Sequence, residues 1–188
     1  MTYEPVYLDF GKNEQKAPEY TKYNPNGRIP TLIDHHNGDY ILWESDAILL
    51  YLTDKYDTEK RLTVTDEKEK YSLIQWLFFQ SSGQGLVSCY VSNDVSSLTI
   101  CSYSPYFGQA AWFLRYHPEQ VPSAIERYRK ETLRVISVLE SVLSKQEWLV
   151  GGKPTIADFS FITWNNVALS FTLKDYADVQ KEYPAFFA

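Results

Sequence analysis

The stretch Asn24-Pro25-Asn26-Gly27-Arg28-Ile29-Pro30-Thr31-Leu32-Ile33-Asp34, with Trp43-Glu44-Ser45 after it, constrains this chain more than any other part. A proline stands between an apolar residue and a strand start. A short strand, an Asn37-Gly38 turn, a second strand and a helix opening at Glu44-Ser45 follow. Proline at a strand start donates nothing to a ladder and tolerates a cis bond. The edge at Ile29 is thereby left open to an extended ligand, as peptide recognition by strand addition requires. The helix start at Ser45 offers unpaired N–H groups and a favourable dipole for a carboxylate. An edge for a peptide backbone and an anion seat for its end together make a small-peptide site.

The rest of the chain bounds what surrounds that site. Its 188 residues suffice for one large domain or two small ones. An apolar fraction of 44% and an aromatic fraction of 16% are ample for a core. A net charge of −6 without a basic run argues against nucleic acid or anionic membranes as partners. No apolar run reaches spanning length, and Met1-Thr2-Tyr3-Glu4 does not open a signal peptide, so a cytoplasmic protein is expected. Cys89 and Cys101 have no metal or redox spacing, and no metal is expected.

Alternation over residues 3–10 predicts a strand. Ala17-Pro18-Glu19-Tyr20 predicts a short helix with proline in its first turn, ending near Asn24. Asn37-Gly38 suits a two-residue primed hairpin turn. Ala47, Ile48, Leu49, Tyr51 and Leu52 cover one broad face of a helix from Ser45 to about Tyr56. The charged segment from Asp57 to Asp66 reads as a linker. Beyond it, Tyr71, Ile74, Leu77 and Phe78 recur at helical spacing. An amphipathic helix is predicted from Pro122 to about Gln146, with Ile125, Tyr128, Val135, Ile136, Leu139, Val142 and Leu143 on one stripe. Thr155-Ile156-Ala157-Asp158 predicts a helix opened by a capping-box variant, structural rather than catalytic. The apolar run Phe159, Phe161, Ile162 and Trp164 then predicts a buried helix.

At this level the chain resembles the glutathione transferases, and most closely the fungal class related to the yeast nitrogen-catabolite regulator. The block NPNGRIPTLIDHHNGDYILWESDAILLYL is similar to the glutathione-binding half of that class. WLFFQSSGQG, PYFGQAAWF, SAIERYR, RVISVLESVL and LVGGKPTIADFSFITWNNV are similar to its helical half. The resemblance implies an α/β, partial thioredoxin-like glutathione-binding domain over residues 1–57, expected to be truncated at its N-terminal side, and an all-helical domain over residues 66–188, expected to be truncated at its C-terminal side. It also implies that the first strand and helix of the family precede Met1, and with them the thiol-activating residue. Tyr183-Pro184-Ala185-Phe186-Phe187 resembles the approach to the family's last helices, which are expected to be absent here.

Residues 86–104 interrupt the resemblance. Joining Gly85 to Pro105 restores a family-like run, and the stretch carries both cysteines, six serines and a single charged residue, Asp94. Two readings stand: a retained intron translated in frame, which we prefer, and a loop or lid over the substrate site.

The resemblance also implies roles. Ile29 gives its backbone N–H and C=O to the cysteinyl part of glutathione, with Pro30 cis. Ser45 and the helix N–H groups take the γ-glutamyl carboxylate, and Glu44 pairs with its ammonium. A plain N-cap is the structural alternative, and one position can serve both ends. Gln15 stands where the class often has histidine, near the glycyl end, with Lys16 or Arg28 supplying charge. His35 and His36 are expected to be solvated. Tyr106, Phe107, Gln109, Trp112 and Phe113 are either core, which their helical spacing favours, or the lining of a pocket for the second substrate. The implied activity is conjugation or reduction of electrophiles and peroxides by glutathione, in a homodimer. The alternatives are a glutathione-binding regulatory protein without turnover and an inactive truncated isoform.

Overall fold

A computed structural model describes residues 2–84 and 106–187. The segment 86–104 and both cysteines lie outside the described residues. The chain divides into two compact units, Met1–Arg61 and Leu62–Ala188.

In the first unit, residues 2–9 form no strand, contrary to the alternation over residues 3–10. Tyr3, Val6 and Tyr7 are 84%, 83% and 87% exposed. Alternation selects a strand only where a neighbouring ladder accepts its N–H groups, and the described sheet pairs only two strands elsewhere. Asp9 ends this segment by accepting the Gly11 N–H at 2.9 Å, starting a 3₁₀ turn over Phe10–Lys12. A second 3₁₀ turn, Glu14–Lys16, leads to helix α1, Pro18–Thr21, with proline in the first turn as expected.

Strands β1 (Thr31–Asp34) and β2 (Tyr40–Trp43) pair antiparallel, with Thr31 opposite Trp43 and Asp34 opposite Tyr40. The tip is not the two-residue turn expected at Asn37-Gly38. A 3₁₀ turn over His35–Asn37 comes first, and left-handed φ falls on Gly38 (66°) and Asp39 (58°). A type I′ turn would need it at Asn37 and Gly38. Asp34 decides the outcome, because its carboxylate accepts the His36 N–H at 3.0 Å and winds the chain into the turn. Helix α2 then runs from Ser45 to Tyr56. Among its described residues this unit fully buries no apolar side chain; its enclosed side chains are polar, namely Asn24, Asp34 and Thr53.

The second unit is helical: α3 (Glu67–Gly83), α4 (Tyr106–Arg115), α5 (Pro122–Leu143), α6 (Ile156–Val167), α7 (Val179–Glu182) and α8 (Pro184–Phe187). Its core gathers Phe107, Val135, Ile136, Ala168, Leu173 and Val179. Helix α3 buries Leu73, Trp76, Leu77 and Gln80, whereas Tyr71 and Phe78 stand 67% and 71% exposed. Two apolar stripes overlap on this helix. The one that packs is the one that sets Trp76 edge-on to Phe79 and Phe161 at 5.5 and 6.2 Å.

Thr155 and Asp158 cap α6 reciprocally, as expected, and Asp158 also accepts the Leu149 N–H at 2.9 Å. That helix is not buried all round: Phe161 is inside, while Phe159 and Ile162 are 44% and 50% exposed. Nor is all of residues 57–66 a free linker. Thr63 and Val64 are buried, and the Leu62 carbonyl accepts the Ile156 N–H at 2.9 Å. This satisfies a donor that the first turn of α6 would otherwise leave open.

Candidate functional site

The register of the β-hairpin builds the site. Because Thr31 pairs with Trp43, the residues just outside that pair, Pro30 and Glu44, flank the same end of the ladder. The Ile29–Pro30 peptide bond is cis, and Ile29, 56% exposed, precedes β1 outside the ladder. The carbonyl before Ile29 is held firmly: Arg28 O accepts from the Tyr20 hydroxyl at 2.5 Å and from Asn24 Nδ2 at 2.7 Å. The Tyr20 hydroxyl also meets Thr31 Oγ1 at 2.7 Å. One tyrosine therefore bridges the residues on either side of Ile29-Pro30. Sequence reading missed Tyr20 and Asn24, because their signal is only proximity to the Pro30 turn.

On the other flank, Glu44 makes the sharp passage from β2 into α2. Its φ of 74° and ψ of 118° are unusual for a residue with a side chain. The Glu44 side chain makes no capping bond, so it does not occupy the N–H groups of the first turn. Glu44 and Ser45 are exposed, and Ser45 begins the helix. Asp46, the next residue, was not singled out by sequence. Both its carboxylate oxygens are enclosed without a hydrogen-bond partner among the described residues. Burial pushes this acid up to about 6, and the nearby Glu44 charge adds to the effect.

Gln15 lies on the Glu14–Lys16 turn, beside the 24–28 loop, with its Oε1 enclosed and unpaired among the described residues. Lys16 Nζ donates to Asn26 O at 3.0 Å. Burial lowers the Lys16 ammonium from its ordinary value, and Arg28 nearby lowers it further. Gly27 allows this approach: its φ is 61°, and a Cβ there would lie 2.8 Å from the Gln15 carbonyl oxygen. Gln15 and Arg28 thus converge on one loop, and Ile29, Pro30, Glu44 and Ser45 on one ladder end. His35 is an exposed surface group, its Nδ1 2.5 Å from Asp39 Oδ1.

Tyr106, Phe107, Gln109, Trp112 and Phe113 lie on α4 in the second unit. Phe107 is wholly enclosed in the core, Tyr106 packs against that core, and Gln109 is buried. Trp112 stacks on Tyr116 at 6.1 Å, and Phe113 lies between His117 at 5.0 Å and Tyr128 at 5.6 Å.

Residues 1–54 match the model of the glutathione S-transferase N-terminal domain, and residues 95–187 that of the C-terminal domain. Glutathione S-transferase 1 of Schizosaccharomyces pombe is 49% identical over 185 residues, which cover 98% of this chain and 72% of that protein. The glutathione transferase URE2P6 from Phanerochaete chrysosporium, solved in complex with oxidized glutathione, is 55% identical. It superposes with a TM-score of 0.86, covering all of this chain (100%) and 76% of that one. Ure2p in complex with glutathione is 35% identical with a TM-score of 0.82, covering 99% of this chain and 80% of that one. A cis-proline at a strand start, an acid–serine pair at a helix start and relatedness along the whole chain agree: the protein belongs to the glutathione S-transferase family, among the fungal transferases and Ure2-type proteins.

Proposed function

We propose that the chain is a glutathione transferase whose first unit binds glutathione as an extended peptide across the ladder end. The observation that carries this reading is the placement of Pro30 and Glu44, just outside the Thr31–Trp43 pair, at one end of the hairpin. Ile29 offers backbone groups to the cysteinyl residue. The uncapped first turn of α2 and the Ser45 hydroxyl take the γ-glutamyl carboxylate, and Glu44 takes its ammonium. Gln15, with its enclosed oxygen unpaired among the described residues, and Arg28 serve the glycyl end. Bound glutathione supplies a thiol that, as thiolate, attacks an electrophile or a peroxide. The role of this chain's residues is to fix the peptide and to hold its charged ends.

The exposed Tyr71 and Phe78 on α3 support self-association as a homodimer, which sedimentation would test. Calorimetric titration of glutathione tests the site. We expect saturable binding that weakens about tenfold or more in Glu44→Ala and in Ser45→Ala, for loss of a charge-assisted contact. Formation of a glutathione conjugate from a chloronitrobenzene then separates a transferase from a binding protein without turnover. Unaltered affinity in both variants would overturn the site.

A further inference from the structure

Asp34 ends β1, at the opposite end of the hairpin from Pro30 and Glu44. It is only 7% exposed, yet both its carboxylate oxygens are engaged. Oδ1 accepts the His36 N–H at 3.0 Å. Oδ2 accepts the Tyr51 hydroxyl at 2.5 Å and also the Tyr56 hydroxyl. A relay with a single direction feeds the same atom: Lys55 Nζ donates to Asn37 Oδ1 at 3.1 Å, Asn37 Nδ2 to the Tyr51 hydroxyl at 2.9 Å, and Tyr51 to Asp34. The Tyr40 and Tyr51 rings pack beside it with centroids 5.3 Å apart. Strand end, tip turn and the C-terminal half of α2 therefore meet at one carboxylate.

The site itself is made of two local halves. Ile29 and Pro30 move with β1, and Glu44 and Ser45 move with α2. A single residue, Glu44, joins β2 to α2, so the junction alone leaves the direction of the helix axis loosely set. Tyr51 and Tyr56 lie about 9 and 16 Å along that axis from Ser45, at ~1.5 Å per residue. A slip of about 3 Å at Tyr56 would tilt the axis by roughly 10° and turn the first N–H groups away from the ladder end. Half-buried aliphatic contacts resist such a tilt weakly, because this unit fully buries no apolar side chain among its described residues.

We propose that Asp34, with Tyr51 and Tyr56, is a positioning clasp that fixes the two halves of the peptide seat relative to each other without touching the ligand. The proposal rests on the glutathione reading above. It predicts a loss confined to ligands that span both halves. Asp34→Asn is a severe test, because an amide cannot accept from His36 and from both tyrosines at once: one end of it is a donor. Tyr56→Phe removes one hydroxyl and is the milder variant.

The experiment compares two ligands on the full chain: glutathione, and γ-glutamyl methylamide, which reaches only Glu44, Ser45 and the first turn of α2. Urea midpoints and near-ultraviolet dichroism first establish that the variants are folded. We expect the dissociation constant for glutathione to rise about tenfold in Asp34→Asn and about threefold in Tyr56→Phe, as two linked half-sites lose their shared geometry. That for the methylamide should stay within about twofold, because each half-site is intact. Equal losses for both ligands, or no loss for glutathione in either folded variant, would overturn the clasp. Failure of the unsubstituted chain to bind glutathione would instead overturn the parent reading.

Discussion

Two acids on either side of Ser45, Glu44 and Asp46, carry opposite burdens. Glu44 bears backbone strain: a side chain at φ 74° costs roughly 1 kcal/mol over glycine. Glu44→Gly should therefore raise stability by up to about 1 kcal/mol while weakening glutathione binding, a divergence that calorimetry and urea unfolding would read together. Asp46 bears burial. Its proton is held more tightly in the folded chain, at about 6, than in the unfolded chain, at about 3.9. The folded state thus binds the extra proton between these values, and stability falls as pH rises through that window. Asp46→Asn should stabilise the protein by about 1 kcal/mol at pH 7, after allowance for solvent screening, and by nothing near pH 4. Unfolding midpoints across that range check the prediction. A flat difference between the two proteins would refute it.

The elements differ in how openly the sequence announced them. Helix α2 and the cap of α6 were legible because apolar spacing and the Thr155–Asp158 pair are local signals. Helical spacing in α3 was legible too, but not which face packs, because the helix has two overlapping apolar stripes and only the packing of Trp76 selects one, leaving Phe78 exposed. The tip turn was misread because an aspartate outside the dipeptide, Asp34, dictates its winding. Tyr51 was taken for an apolar face residue, although its hydroxyl is what ties α2 down. Removing the Asp158 carboxylate (Asp158→Ala) should cost about 2 kcal/mol, since it strands the Thr155 and Leu149 N–H groups together; thermal unfolding would show it. The clasp has its own pH limits. Tyr56 is pushed up to about 12 by its bond to Asp34, and Asp34 is held below the usual carboxylate range by the two tyrosines. The tyrosine contribution is whole below about pH 10 and fades toward 12. The aspartate contribution is whole above about pH 4 and fades in stronger acid. Tyrosinate absorbance should show one hydroxyl ionising near 12 that disappears in Tyr56→Phe.

For the whole molecule, the contrast lies between a unit knit by hydroxyls, amides and carboxylates, the buried Asp34 among them, and a unit knit by Phe107, Val135, Ile136 and Leu173. The proposed ligand seat belongs to the first. Amide hydrogen exchange should therefore find faster opening over Met1–Arg61 than in α5, with added glutathione slowing the first unit most. The sequence made Ile29-Pro30 and Glu44-Ser45 visible as candidates for the proposed seat. It hid the means of holding that seat together, because polar side chains meeting across elements leave no periodic trace. That mode of cohesion has a calorimetric consequence. Apolar exposure is what gives unfolding its large heat-capacity increment, and polar exposure offsets it. Opening the first unit should carry a small increment per residue and hence a shallow stability curve, while the helical unit weakens toward the cold as its apolar burial loses strength. On chilling, the seat is then the part of the molecule whose firmness changes least.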